Sequence, residues 1–343
     1  MKILLGMSGG FDSTYSAVKL LEEGHSVEGA ILVMHEYTDV DAARTACEKL
    51  GIPLHVIDCK AEFDAIVKSN FVNEYKNART PNPCIICNRE IKFKYLYEYA
   101  MSHGFDRIAT GHYAKIAERE IDGKKRYTLI PAADTKKDQS YMLSRLDEKI
   151  LSVLIFPLAD EVKEELRARV SATDMPHKAK KDSVEICFIP DNDYVSYIEN
   201  KVGKFPKGSY IDSNGHVIGE HKGIIHYTVG QRKGLGVSLG KRAFVTEINN
   251  VENTVRLSEN ARTDKFCTLS SVVYMGHEPL KAGKTVKADV KVRYTKGSEP
   301  ASVKCIEVGR LEVVFDRPIG FVTPGQTAVI YLEGAVFASG FID

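Results

Sequence analysis

Three groups of residues in this chain have the types and spacing to do chemistry. The first is Gly6-Met7-Ser8-Gly9-Gly10-Phe11-Asp12-Ser13, set between an apolar run at 2–5 and a stretch with Ala17, Val18, Leu20 and Leu21 at helical spacing. A glycine loop joining a strand to a helix points free N–H groups at an anion, and the helix dipole favours negative charge there. Gly9 and Gly10 permit close backbone approach, Ser8 and Ser13 add hydroxyl donors, and Asp12 is a ligand for a Mg²⁺ accompanying phosphates. The Walker loop is excluded, because Phe11-Asp12 follows Gly10 where that pattern needs Lys-Ser/Thr. The second group is Pro81-Asn82-Pro83-Cys84-Ile85-Ile86-Cys87, a Cys-x-x-Cys beside two prolines, a spacing that favours metal or redox use. With a helix predicted from Glu90 to His103, Cys87 lies just ahead of a positive helix end, and Arg89 and Lys92 add charge that favours a thiolate. The third is Cys187, in the apolar stretch 185–190. Cys47, Cys59, Cys267 and Cys305 read instead as buried small apolar side chains.

The elements that must hold these residues alternate in the first half of the chain. Strands are predicted at 2–5, 27–34, 54–57 and 107–110, and helices at 14–23, 40–50, 61–76 and 90–103. Such alternation means right-handed crossovers and a parallel sheet covered by helices. Ligands of such sheets bind at the carboxyl ends of the strands, where the glycine loop, Met34 and Gly111 fall. A hairpin is predicted around Asp122-Gly123, with helices at 139–146 and 161–172. After about Asn200 short alternating strands and turns dominate, which points to one or two small β-barrels, with cuts near 200 and 265.

Composition narrows the class further. A chain of 343 residues suggests two or three domains. The run at 150–159 is broken by Ser152 and Pro157, too short to span a bilayer, and the apolar N-terminus is too short for a signal peptide, so a cytoplasmic enzyme is expected. Seven cysteines without framework spacing fit that compartment. A net charge of +1 excludes a polyanion binder that acts through overall charge. Nucleic acid would need local patches, such as the six basic residues between Lys281 and Lys296, supplemented by Lys178, Lys180, Lys181, Arg232, Lys233, Lys241 and Arg242.

The glycine loop resembles the SGGxDS loop of the ATP pyrophosphatases, which split ATP into AMP and pyrophosphate to adenylate a substrate oxygen. PNPCIICNREIKF, ATGHYA at 109–114, KKDQSYML at 136–143, KKDSVEICFIP at 180–190, YTVGQRKGLG at 227–236 and RPIGFVTPGQTAVIY at 317–331 follow it in order. Together they resemble the bacterial tRNA-uridine 2-sulfurtransferases, or tRNA-specific 2-thiouridylases, over essentially the whole chain. The fold this implies is α/β: a parallel-sheet PP-loop ATP pyrophosphatase domain over 1–200, a small central β-rich domain over 201–265 and a tRNA-binding C-terminal β-barrel over 266–343.

The implied reaction adenylates O2 of the wobble uridine and replaces it with sulfur. By match to the motifs, Gly6 to Ser13, Met34 and Gly111 would hold ATP with Mg²⁺. Cys87 would be the nucleophile and Cys187 the persulfide carrier, the two closing as a transient disulfide. His112 would lie beside the target base, while Lys137, Asp138, Gln139, Arg293, Tyr294 and Gln326 would contact tRNA. The implied partners are the tRNAs for Lys, Glu and Gln and a sulfur donor, either a cysteine desulfurase or a relay protein. One position departs from the pattern: many members carry Asp where this chain has Cys84, and that carboxylate is their acid/base. Three thiols, Cys84, Cys87 and Cys187, also resemble the ligands of iron–sulfur tRNA thiolases, so a [4Fe–4S] cluster and a persulfide stand as two routes for the sulfur. A 4-thiouridine synthase, an amidating ligase and a non-catalytic RNA-binding protein are the rival functions.

Overall fold

The computed structural model describes residues 1–121, 123–170, 186–237, 240 and 242–343. Five parallel strands form the first sheet: β1 (Lys2–Gly6), β2 (Ser26–Val33), β3 (Leu54–Asp58), β4 (Arg107–Thr110) and, after the antiparallel hairpin β5 (Lys115–Ile121) and β6 (Lys124–Ile130), β7 (Leu154–Ile155). Their order is β3-β2-β1-β4-β7, which puts β1 at the centre. Ile3, Leu4 and Leu5 are fully buried because helices cover both faces, and a strand so placed must be apolar at every position. Helix α1 (Phe11–Glu22) follows the glycine loop. Helix α2 (Val40–Leu50) is bounded as the sequence predicts: the Asp39 carboxylate accepts the Ala42 N–H at 3.1 Å, and Gly51 ends the helix at φ 67°. α2 packs so close to β2 that a Cβ on Gly29 would lie 2.7 Å from Cys47 Sγ.

Four strands, β8 (Gly208–Ile211), β9 (Val217–His221), β10 (Phe244–Asn249) and β11 (Thr254–Ser258), make an open sheet in the order β10-β11-β8-β9. Six more close a barrel in the order β12-β15-β14-β13-β16-β17: β12 (Thr263–Tyr274), β13 (Thr285–Lys291), β14 (Glu299–Glu307), β15 (Arg310–Gly320), β16 (Thr327–Leu332) and β17 (Ala335–Ile342). The architecture is therefore α/β with a small β-rich domain and one closed barrel. The barrel seats on the first unit: Met275, Val329, Tyr331 and Val336 share a core with Leu129 and Tyr141, and Thr128 Oγ1 donates to the Val336 carbonyl at 2.5 Å. Among the described residues no helix is long and apolar enough to cross a membrane.

Two local expectations are corrected, and one helix has no counterpart among the predicted elements. The helix expected from Glu90 begins at Pro83 and runs over 83–102 as Pro83–Cys87, a π-turn at Asn88–Lys92 and Phe93–Ser102. Proline suits the first helical position, where no N–H is needed, so Pro83 opens the helix rather than extending the loop. The 139–146 stretch forms successive turns instead of a helix. Tertiary bonds direct it: Tyr141 Oη donates to the Thr327 carbonyl at 2.7 Å, and Arg145 donates to the Ser271 carbonyl at 2.8 Å. The helix Tyr194–Val202 was not foreseen, although Asp193 caps it by accepting the Ser196 N–H at 3.0 Å. Asp122, Lys178, Lys180, Lys181 and Lys241, and the 171–172 end of the helix predicted there, lie outside the described residues.

Candidate active site

A cleft of about 480 Å³ opens at the carboxyl ends of β1, β2 and β4. Gly6, Met7, Ser8, Asp12 and Ser13 form one wall, Leu32 and Met34 another, and Thr110, Gly111 and His112 a third. The loop is pre-shaped from within. Ser8 N–H donates to Ser13 Oγ at 3.2 Å, Ser13 Oγ donates to the Gly10 carbonyl at 3.1 Å, and the two serine hydroxyls lie 3.1 Å apart. Gly9, at φ 69°, sits against the start of α2, where a Cβ would come within 2.3 Å of the Ala42 carbonyl carbon. Among the described residues no side chain caps α1 at Gly10, and a helix N-terminus after a glycine loop is a site where a phosphate can be held.

Asp12 already has partners. Its carboxylate takes the Lys163 ammonium at 2.7 Å and the Tyr113 hydroxyl at 3.0 Å, and Lys163 is buried. As it stands this carboxylate does not fit a bare Mg²⁺ site, since a cation's charge is already supplied to it. Lys163 carried no signal in the sequence, lying far along the chain on the helix Lys163–Val170.

Gly111 is also held close: a Cβ there would stand 2.8 Å from the Asp12 carbonyl carbon. His112 Nδ1 bonds Thr110 Oγ1 at 2.9 Å, and its ring lies 5.4 Å from Phe93. Burial, with Lys92 adding to it, pushes the His112 ring down to about 3 from an ordinary 6.5. It is therefore neutral at physiological pH and acts as a hydrogen-bonding group, not as an acid. The sign of the linkage follows. Above pH 6.5 folded and unfolded chains are both neutral here; as pH falls from 6.5 toward 3, only the unfolded chain gains the proton, so stability is lost. His112→Gln is expected to remove that part of the slope, on the order of 1 kcal/mol per pH unit, in urea melts compared with the wild type.

The helix over 83–102 carries two of the thiols. Cys84 lies in its first turn and is exposed; Cys87, one turn later, is buried with its Sγ 3.6 Å from Met34 Sδ on the cleft wall. The positive helix end expected to act on Cys87 thus falls at Cys84. Burial pushes the Cys87 thiol up to about 12, opposed by the Lys92 ammonium. A π-turn sets residues five apart over one another, so Asn88–Lys92 brings Lys92 beneath Cys87 and into the cleft. Burial lowers the Lys92 ammonium, but Cys87, Cys84 and Cys187 outweigh it and hold the group above its ordinary value. Its action on the Cys87 thiol is the one expected from the sequence; its place in the cleft beside the glycine loop is not legible there.

Cys187 is exposed beside Phe188 and Ile189, which are buried in the same core as Cys87 and Ile91. Phe188 packs on Phe63 and Phe71, with ring centres 5.6 and 5.5 Å apart. Desolvation raises the Cys187 thiol and Lys92 opposes it. One apolar core therefore brings the three thiols into electrostatic reach of one another. Among the described residues no three His, Cys, Asp or Glu groups stand at a spacing that would hold a metal ion. Cys47 and Cys59 are buried, their thiols raised to about 11 by desolvation, and Cys267 and Cys305 are buried in the barrel.

The residues matched to RNA contacts lie where the first unit meets the barrel. Asp138 is turned inward, accepting the Ala132 N–H at 3.2 Å and the Ser140 hydroxyl at 2.8 Å. Gln139 Oε1 accepts the Tyr113 N–H at 2.9 Å and lines the cleft. Tyr294 packs on Tyr141 at 6.0 Å, and Asp138 and Lys137 both act on its hydroxyl. Arg293 donates to the Val229 carbonyl at 3.3 Å, and Gln326 to the Thr80 carbonyl at 2.8 Å.

Three family models match the chain in order: a tRNA methyl transferase HUP domain over 1–191, a tRNA methyl transferase PRC-barrel domain over 195–259 and an aminomethyltransferase beta-barrel domain over 264–342. An Acetivibrio thermocellus protein named tRNA-specific 2-thiouridylase MnmA is 41% identical over 358 residues, spanning 99% of this chain and 99% of its own. Proteins of the same name from Clostridium perfringens and Treponema denticola are 39% and 37% identical, each over 100% of this chain and 98% of its own.

Proposed function

The chain belongs to the tRNA-specific 2-thiouridylase family, and from that premise we propose that it replaces the C2 oxygen of the tRNA wobble uridine with sulfur at the cleft described above. The observation that carries this reading is the juxtaposition of the glycine loop at a helix N-terminus with the Cys87 thiol, which touches Met34 on the wall of the same cleft. A 4-thiouridine synthase, an amidating ligase and a non-catalytic RNA-binding protein are not favoured beside full-length relatives of one name.

In the proposed first step the loop at 6–13 binds the ATP phosphates and the apolar wall of Leu32, Met34, Phe93 and Leu96 takes the adenine. Mg²⁺ accompanying the nucleotide would supply charge neutralisation for its phosphates. The uridine O2 attacks the α-phosphorus, the α–β bond breaks and pyrophosphate leaves. Lys92 lines the cleft and meets the negative charge that gathers on the α-phosphoryl group. His112, neutral, is placed to hydrogen-bond the base. That base must leave its stack to reach the cleft.

In the second step the outer sulfur of a Cys187 persulfide attacks C2, the C2–O bond breaks and AMP leaves. Cys87 then attacks Cys187 Sγ, breaks the S–S bond and leaves the sulfur on C2. The resulting Cys87–Cys187 disulfide must be reopened by an external dithiol before the next turnover. A [4Fe–4S] cluster on Cys84, Cys87 and Cys187 is the other route the three thiols offer. Cys84 stands exposed at the positive helix end in place of the family's carboxylate. We assign the ATP-binding, central and tRNA-binding roles to 1–200, 201–265 and 266–343. The reaction is placed in the cytoplasm, with a cysteine desulfurase or relay protein as sulfur donor and the tRNAs for Lys, Glu and Gln as substrates.

The reading predicts AMP and pyrophosphate in equal amounts, released only when an unmodified substrate tRNA is present. Release without tRNA dependence would overturn it. Lys92→Met is expected to slow tRNA-dependent pyrophosphate release by about a hundredfold, the scale of a lost charge-stabilising donor, with a smaller change in ATP affinity. A rapid-quench measurement of the first turnover checks this.

A further inference from the structure

The segment 321–326 of the barrel end is where all three units meet. A Cβ on Gly230 of the central unit would come within 3.0 Å of the Phe321 ring, and Arg293 joins Val229 to the Thr323 hydroxyl. On the other side the same segment grips residues 79–81, which lead into the thiol helix. Thr80 N–H donates to the Pro324 carbonyl at 2.9 Å. Gln326 Nε2 donates to the Thr80 carbonyl at 2.8 Å and the Pro81 carbonyl at 3.3 Å. Gly325, at φ 87°, lies so near that a Cβ would stand 2.8 Å from Thr80 N. The Arg79 guanidinium donates to the Ile342 carbonyl at 2.9 Å. Farther along, Asn82 and Asn88 donate to Met142 Sδ and the Met142 carbonyl at 3.6 and 3.0 Å. The start of the thiol helix is thus clamped between the barrel and the 139–146 turns.

We propose that Gln326 is a positioning residue for sulfur transfer: through the Thr80 and Pro81 carbonyls it fixes where the helix bearing Cys84 and Cys87 begins. The inference deepens the thiolase reading and rests on it for the word sulfur. Its physical basis is that a paired backbone carbonyl at a helix entry leaves the entry one course, whereas an unpaired one leaves it several. A helix entry that shifts by an ångström displaces Cys87 from Met34 and the cleft, and misplacement on that scale costs catalysis heavily. An RNA contact made through the same Nε2 competes with the grip on 80–81, which ties RNA docking to the position of the thiols.

The test uses the full-length protein, first without RNA. Iodoacetamide labelling of Cys87, followed by mass spectrometry, is compared between wild type and Gln326→Ala, together with amide exchange over 79–88. Faster labelling of the buried Cys87, by about fivefold or more, and faster exchange are expected for the variant. Gln326→Glu is isosteric but faces the two carbonyls with acceptors, so it must show the same change. It keeps the test decisive if alanine loosens the barrel. With tRNA, a kcat lowered about tenfold with a smaller change in KM is expected. If both variants raise only the KM for tRNA while Cys87 labelling and exchange match the wild type, Gln326 is an RNA contact alone and the proposal is overturned. The RNA-free measurements decide this whether or not the wild type makes 2-thiouridine, so the two readings fail separately.

Discussion

Replacing Cys187 with serine is expected to abolish 2-thiouridine formation while tRNA-dependent pyrophosphate release continues. The two halves of the proposed reaction use different parts of the molecule. Adenylation needs the loop at 6–13 and the cleft walls, to which Cys187 does not contribute. Transfer needs a sulfur that can itself carry sulfur, and a hydroxyl cannot form a persulfide. The loss should reach at least about a thousandfold, as for removal of other covalent nucleophiles. Cys187 is the cleaner position because it is exposed, so serine there leaves the core intact. Cys87→Ser should also stop transfer, but it places a hydroxyl beside Met34 in a buried site and costs stability as well. Parallel assays of pyrophosphate and of modified nucleoside separate the two halves. Thiolation by the Cys187 variant near the wild-type rate would contradict the assignment of the sulfur carrier.

Gly9→Ala should cripple nucleotide binding where Gly10→Ala does not. At Gly9 the backbone has φ 69°, and a Cβ would meet the Ala42 carbonyl carbon at 2.3 Å. Left-handed backbone costs an alanine roughly 1 kcal/mol before any contact is considered. The clash adds more, because backbone rather than a side-chain tip must move. Either the loop or the start of α2 shifts, and the Ser8 and Ser13 bonds that shape the anion site shift with it. A fall in ATP affinity of about a hundredfold is expected, equal to near 3 kcal/mol. Gly10 has φ −82°, and its added Cβ would meet the Ser8 hydroxyl at 3.4 Å, so the change there should be within a few-fold. Calorimetric titration with ATP on both variants checks the contrast. Equal affinities would mean that close packing of the loop on α2 is not what shapes the site.

What the sequence makes legible here is what short-range chemistry controls. Asp39 and Gly51 bracket α2, and the apolar run at 2–5 has the pattern of a strand buried on both faces. The glycine loop announces itself because its glycines, serines and Asp12 lie within eight residues, although its packing on Ala42 and Gly111 leaves no mark there. The thiol helix is misread at its start because proline serves both loops and first helical turns, and only the tertiary position of Asn82-Pro83 decides between them. Long-range pairings have no such signature. Lys163 reaches Asp12 from a separate helix, and Gln326 reaches Pro81 from the barrel. The π-turn that delivers Lys92 to the cleft is equally silent, since one extra residue per turn leaves no mark on composition. Residues matched to RNA contacts through resemblance, Asp138 and Gln326 above all, also carry internal bonds that no motif discloses.

The central claim is that sulfur replaces the C2 oxygen of a wobble uridine at this cleft. It is tested most directly by incubating the protein with ATP, Mg²⁺, a cysteine desulfurase with cysteine, and unmodified tRNA for Lys, then digesting the RNA and analysing its nucleosides by mass spectrometry with chromatographic standards. The account predicts 2-thiouridine at the wobble position, formed only with ATP. The appearance of 4-thiouridine without 2-thiouridine, or of 2-thiouridine without ATP consumption, would contradict it.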